Sequence, residues 1–129
     1  MRILARLSAL LLVMALAACN TVPIMNVDKA AVSGASGKPL TDDQVKGAII
    51  RAGSGLGWQM TETGPGNISG TLMLRTHTAV VSIPYSSSQY SIIYKSSTNL
   101  DEKDGNIHKN YNGWIQNLNK GINAQLAAY

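Results

Sequence analysis

Cysteine is nearly absent. Cys19 is the sole one in 129 residues, so no disulfide can form within the chain. A basic cluster is absent too: Lys29, Lys38, Lys46, Arg51, Arg75, Lys95, Lys103, Lys109 and Lys120 lie scattered. Nucleic-acid binding is therefore set aside, although the pI is near 9.4. Metal-ligand spacing is missing. His77 and His108 are the two histidines, with no His-x-x-x-His or His–Glu pairing, and a metal site needs three or four converging ligands. Asp101-Glu102-Lys103-Asp104-Gly105-Asn106 has the outline of a calcium loop, but Lys103 fills one alternating ligand position and Tyr111 stands where the closing glutamate belongs. Asp104 or Asn106 is better read as a helix cap. Gly53-Ser54-Gly55-Leu56-Gly57 follows a helix, the reverse of a phosphate-binding loop, and no cofactor is expected. Paired carboxylates are missing as well. Ser86-Ser87-Ser88, Ser91, Ser96 and Ser97 supply hydroxyls without an arranged base.

What is present begins at the N-terminus. Met1–Arg6 carries Arg2 and Arg6, and Leu7 to Ala18 is an almost unbroken apolar run. A basic stretch followed by an apolar stretch too short to span a bilayer has the form of a secretory signal. It ends in Leu16-Ala17-Ala18-Cys19, which looks like a lipobox. Small residues before the cysteine admit the backbone to a peptidase, and the thiol accepts a diacylglyceryl group. Resemblance to lipoproteins of this class implies three acyl chains on a mature Cys19, and several chains anchor stably where one does not. The same resemblance, with Asn20 rather than Asp next, implies the periplasmic face of the outer membrane. Loss of residues 1–18 removes Arg2 and Arg6. Eleven basic residues then become nine against seven acidic ones, and the formal charge falls from +4 to +2.

The expected organisation is a leader over 1–18, a lipidated flexible tether over 19–40 and one α+β domain over 41–129. The Gly/Ser-rich stretch Val32–Pro39 marks the tether. Thr41 and Gln44 have capping-box spacing, with Asp42 and Asp43 at the positive end of the helix dipole. Val45, Ala48, Ile49 and Ala52 follow at helical spacing, and Gly53, Gly55 and Gly57 end the helix. Four strands are predicted over Trp58–Thr63, Ile68–Arg75, Thr78–Tyr85 and Tyr90–Lys95. Their short connections predict an antiparallel meander. A turn at Thr76-His77 pairs Leu74 with Ala79, Leu72 with Val81 and Gly70 with Ile83. The neighbouring loops pair Tyr85 with Tyr90, Val81 with Tyr94 and Met60 with Gly70. All these residues share one face, which is taken as the core. Pro84 cannot donate to a ladder and marks the end of pairing or a bulge. After a polar loop from Asn99, a second helix is expected from about Ile107 to Leu126. Its stripe is Ile107, Tyr111, Trp114, Ile115, Leu118, Ile122 and Leu126. Gly113 and Gly121 would cost about 1 kcal/mol each there relative to alanine, and close approach to the sheet would explain them. The predicted fold is a two-layer α-β-β-β-β-α arrangement, a four-stranded meander with two helices on one face.

Trp58, Gly64-Pro65-Gly66-Asn67-Ile68, His77-Thr78-Ala79-Val80-Val81, Ile83-Pro84-Tyr85, Tyr90-Ser91-Ile92-Ile93-Tyr94, Ser97-x-Asn99-Leu100 and Ile107–Ile115 resemble small Gram-negative envelope lipoproteins of unknown function. The resemblance covers about residues 41–122 and implies no activity. It directs attention to a polar cluster of Asn99, His108, Tyr111 and Asn112.

The function expected from these observations is a membrane-anchored, non-enzymatic envelope module that binds an envelope protein, peptidoglycan or a second copy of itself. The alternative is a small periplasmic hydrolase using His108 or His77. The outer sheet face is polar apart from Met73, Val80 and Ile93, a candidate partner surface, with the last strand's free edge as a second.

Overall fold

The computed structural model describes residues 20–129; Cys19 and the leader expected over residues 1–18 lie outside the described residues. In chain order the elements are β1 (Thr21–Pro23), β2 (Val27–Ala31), α1 (Asp42–Gly55), β3 (Gln59–Gly64), β4 (Asn67–Leu74), β5 (His77–Pro84), β6 (Gln89–Thr98), β7 (Asn106–His108) and α2 (Lys109–Leu126). The class is α+β, with a five-stranded antiparallel sheet in the order β2-β6-β5-β4-β3 and a two-stranded sheet of β1 and β7. No helix among the described residues is long and apolar enough to cross a membrane.

α1 starts as its sequence requires. Thr41 Oγ1 accepts from the Gln44 amide at 3.1 Å, and the Thr41 amide donates to Gln44 Oε1 at 2.9 Å, closing the capping box. Val45, Ala48, Ile49 and Ala52 are buried. At the other end the Leu56 amide donates to the Gly53 carbonyl, and Gly57 turns the chain with a φ of +89° that L residues resist.

The β4–β5 hairpin differs from expectation by two residues. Its loop is Arg75-Thr76, so Leu74 faces His77, Leu72 faces Ala79 and Gly70 faces Val81. A two-residue slip leaves every side chain on its own face, so the apolar alternation could not detect it. Local chemistry fixes the register instead. Arg75 takes the left-handed φ of 57°, and His77 joins the strand with Nδ1 2.7 Å from the Asn99 carbonyl. The β5–β6 pairing follows the expected register from Val81 onward, with Val81 opposite Tyr94, Ser82 opposite Ile93 and Tyr85 bridged to Tyr90. A bulge between Val80 and Val81 shifts it by one residue, so that Val80 faces Ser96 and Ala79 faces Ser97. Met60 faces Gly70 as expected. Pro84 is the last β5 residue paired with β4.

The expected tether is the largest correction. β1 pairs with β7 and β2 with β6, so the last strand's edge is covered and is not a free docking edge. Beyond β2, the Val32 amide bonds to the Ser88 carbonyl and the Ser36 amide to the Tyr129 carbonyl, both within 3.1 Å. Thr21 to Ala31 therefore makes two strands, giving five in the main sheet rather than four. The apolar residues Val22, Ile24 and Val27 were the signal, outweighed by the glycines and serines that follow.

One core joins both helices to the sheet. Val45, Ile49, Ile115, Leu118 and Ile122 meet Ile68, Leu72, Val81, Ile83, Tyr90 and Ile92, all buried. Helix α2 begins later than expected. Ile107 belongs to β7, and the cap is His108, whose Nδ1 accepts from the Asn110 amide, rather than Asp104 or Asn106. Asp104-Gly105 forms instead the tip of a tight hairpin, both at positive φ, with Lys103 and Asn106 exchanging 3.0 Å bonds. Gly121 approaches helix α1 rather than the sheet: a Cβ there would lie 3.4 Å from that of Ala52. Gly113 approaches nothing within 4 Å.

Candidate functional site

The polar cluster expected from Asn99, His108, Tyr111 and Asn112 does not converge. Asn99 turns toward the β4–β5 hairpin, its carbonyl meeting His77 and its Nδ2 donating to the Thr76 carbonyl at 3.0 Å. His108 is spent at the start of α2. Its ring caps the Asn110 amide and its own amide bonds to the Leu100 carbonyl at 2.8 Å. Tyr111 is fully buried, its ring edge-on to Tyr94 at 5.5 Å between centroids. Its hydroxyl has no hydrogen-bond partner, and burial pushes its pKa well above the usual tyrosine value. Asn112 points to the N-terminal segment. Its Oδ1 accepts from the Met25 amide at 3.0 Å and its Nδ2 donates to the Pro23 carbonyl at 3.0 Å. One amide side chain thus serves a donor and an acceptor two residues apart, replacing a strand partner for that stretch.

Each histidine therefore has one ring nitrogen committed to backbone. No group of three or more His, Cys, Asp or Glu side chains among the described residues is placed to hold a metal ion. A second buried tyrosine, Tyr90, reaches Asn119 and Asn123 of α2 with its hydroxyl, and burial raises its pKa.

The outer face of the sheet carries the expected apolar residues in a new arrangement. Met73 is 61% exposed and Ile93 38%, while Val80 is half-buried. Met73 lies opposite Thr78, and Val80 opposite Thr71, so the two are diagonal neighbours rather than a direct pair. Ile93 opposes Ser82 and so sits diagonal to Val80 on the other side. The three form an oblique row across β4, β5 and β6, within diagonal side-chain reach.

The other surface of note escaped the sequence. An open cleft of about 550 Å³ lies over the first turns of α2, lined by Val22, Lys109, Asn112, Gly113, Trp114 and Asn117 among others. Trp114 was expected in the middle of the apolar stripe. It sits instead on its flank, half-buried, and also borders a smaller crevice with Leu56, Trp58 and Leu72. Helical spacing placed Trp114 one residue from Ile115, 100° round the helix, and could not say how far the core extends that way. No family model, curated protein or solved structure matches this chain.

Proposed function

We propose that the chain is a lipid-anchored module of the cell envelope. Cys19 carries the acyl groups, the outer membrane holds them, and the domain binds a partner on the periplasmic side without chemistry of its own. The partner is an envelope protein, peptidoglycan or a second copy. The observation that carries the binding role is the open sheet face. Both helices lie against the other face, and Met73 and Ile93 stand exposed at 61% and 38% on this one, away from the core they would otherwise join. Apolar rows on an otherwise polar sheet mark contact surfaces. The hydrolase alternative needs a free imidazole beside a nucleophile or an orienting acid. His108 caps a helix and His77 bonds a backbone carbonyl, so neither supports it.

Two experiments test the proposal. Cys19→Ser should leave unprocessed precursor or soluble protein; a variant still processed and fully membrane-bound refutes the anchor. Met73→Thr with Val80→Thr should preserve folding and abolish crosslinking to the partner in intact cells. A double variant that folds and keeps every crosslink removes this face from the binding role.

A further inference from the structure

The residue after Cys19 is already part of the folded domain. The Lys109 amide donates to the Asn20 carbonyl at 3.0 Å, Thr21 pairs with His108, and Val22 pairs with Ile107 and lines the cleft over α2. A free tether over residues 19–40 would let the domain wander about 25 Å from its anchor. The structure leaves one peptide unit, about 3.8 Å between Cα atoms.

We propose that the cleft side of α2 is the surface on which the protein rests against the membrane that holds its lipid. This rests on the anchoring of Cys19 and adds to it a fixed orientation. Three observations agree on the lipid surface as the occupant. The chain leading to Cys19 emerges at Asn20, beside the amide of Lys109 at the start of this helix. The helix has no Asp or Glu from Lys109 to Leu126, while Lys109 and Lys120 are exposed and lie with Gly113 and Gln116 on the stripe opposite the core. Such a cationic stripe fits anionic headgroups. Trp114 flanks that stripe half-buried, its ring partly in the open, as an indole at a water–lipid boundary would be. Gly113 fits the same reading. Its missing Cβ would meet nothing within 4 Å outside its own helix, so no packing contact requires a glycine on this side of α2. The seating also turns the row Met73–Val80–Ile93 away from the bilayer, since it lies on the sheet face opposite the helices.

The test uses the mature lipidated protein in vesicles of phosphatidylethanolamine and phosphatidylglycerol containing headgroup spin-labelled lipid. With Cys19 acylated, an introduced cysteine is the only free thiol. An environment-sensitive fluorophore is placed at Gln116→Cys, on the α2 stripe, or at Thr71→Cys, on the outer sheet face. The spin label should quench the Gln116 probe severalfold more than the Thr71 probe. Lys109→Glu with Lys120→Glu should reduce that contrast. Equal quenching at both sites in an acylated, vesicle-bound protein overturns the seating and leaves the anchor standing. A protein that carries no acyl group and does not bind vesicles overturns both. A Gln116 probe indifferent to lipid but responsive to soluble peptidoglycan strands overturns the seating in favour of a glycan site.

Discussion

Tyr111 shows how far single residues could be read. Its place in the apolar stripe was legible; its lone hydroxyl was not, because spacing locates a side chain on a helix and says nothing about what meets its tip. A buried hydroxyl without a partner costs about 1–3 kcal/mol. Tyr111→Phe removes the oxygen and keeps the ring against Tyr94, so it should stabilise the fold by about 1 kcal/mol, raising Tm by about 4 °C. The same residue sets an alkaline limit. Burial, and to a smaller degree the neighbouring Tyr94, holds its pKa in the folded state well above the ordinary tyrosine value. A group whose folded pKa is raised contributes its full stability below the unfolded pKa and loses it as pH rises toward the folded one. Thermal stability should therefore fall as pH climbs past 10, and Tyr111→Phe should make that fall shallower; parallel curves for the two proteins would contradict the assignment. Gly70 is the opposite kind of residue. Three side chains occupy the place of its missing Cβ, with Met60 Sδ and Val81 Cγ2 both 3.1 Å from it and Trp58 Cε3 at 3.4 Å. Gly70→Ala should cost about 1–3 kcal/mol in chemical denaturation through overpacking.

At the scale of elements, helices and strands with a strong period were recognised, and their neighbours in the chain were not. The capping box at Thr41 and the alternation through Ile68–Ile83 are local signals. β1 and β2 depend on partners about sixty to ninety residues away, with three and five residues to carry any pattern. Asn112 supplies much of what holds β1 and its exit. Asn112→Ala should speed amide exchange at Met25 by the loss of about 1–2 kcal/mol of local stability, leaving Ile92 in the sheet unchanged. Comparable protection at Met25 would mean that the β1–β7 ladder alone holds the segment. In α2, Gly113→Ala should stabilise the protein by about 1 kcal/mol, because the new methyl meets open space and glycine is a poor helix former. Trp114→Ala should cost about 2 kcal/mol, less than the 3–5 of a fully buried aromatic, since part of its ring faces the cleft.

The whole molecule is tied together by contacts between its two ends. Asn20 bonds to Lys109, Ile24 to Gly105 and Ser36 to Tyr129, while Arg51 of α1 reaches both Gln125 and the Tyr129 hydroxyl at 3.0 Å. Composition suggested a domain hung on a string, because glycine and serine dominate Val32–Pro39 and flexible chains share that composition. The class α+β, both helices and the core face were legible; the extra strands, the hairpin register and the α2 cleft were not, since each depends on which distant backbone groups remain unpaired after the strong elements form. The early placement of β1 and β2 in the chain has a consequence in time. Their partners β6, β7 and α2 lie near the other end, and contacts that close so long a loop form late. The N-terminal strands of the domain therefore complete their pairing only once the far end of the chain is present. On the proposed anchoring at Cys19, that order leaves the peptide beside Asn20 open to the modifying and cutting enzymes until β6, β7 and α2 have been made.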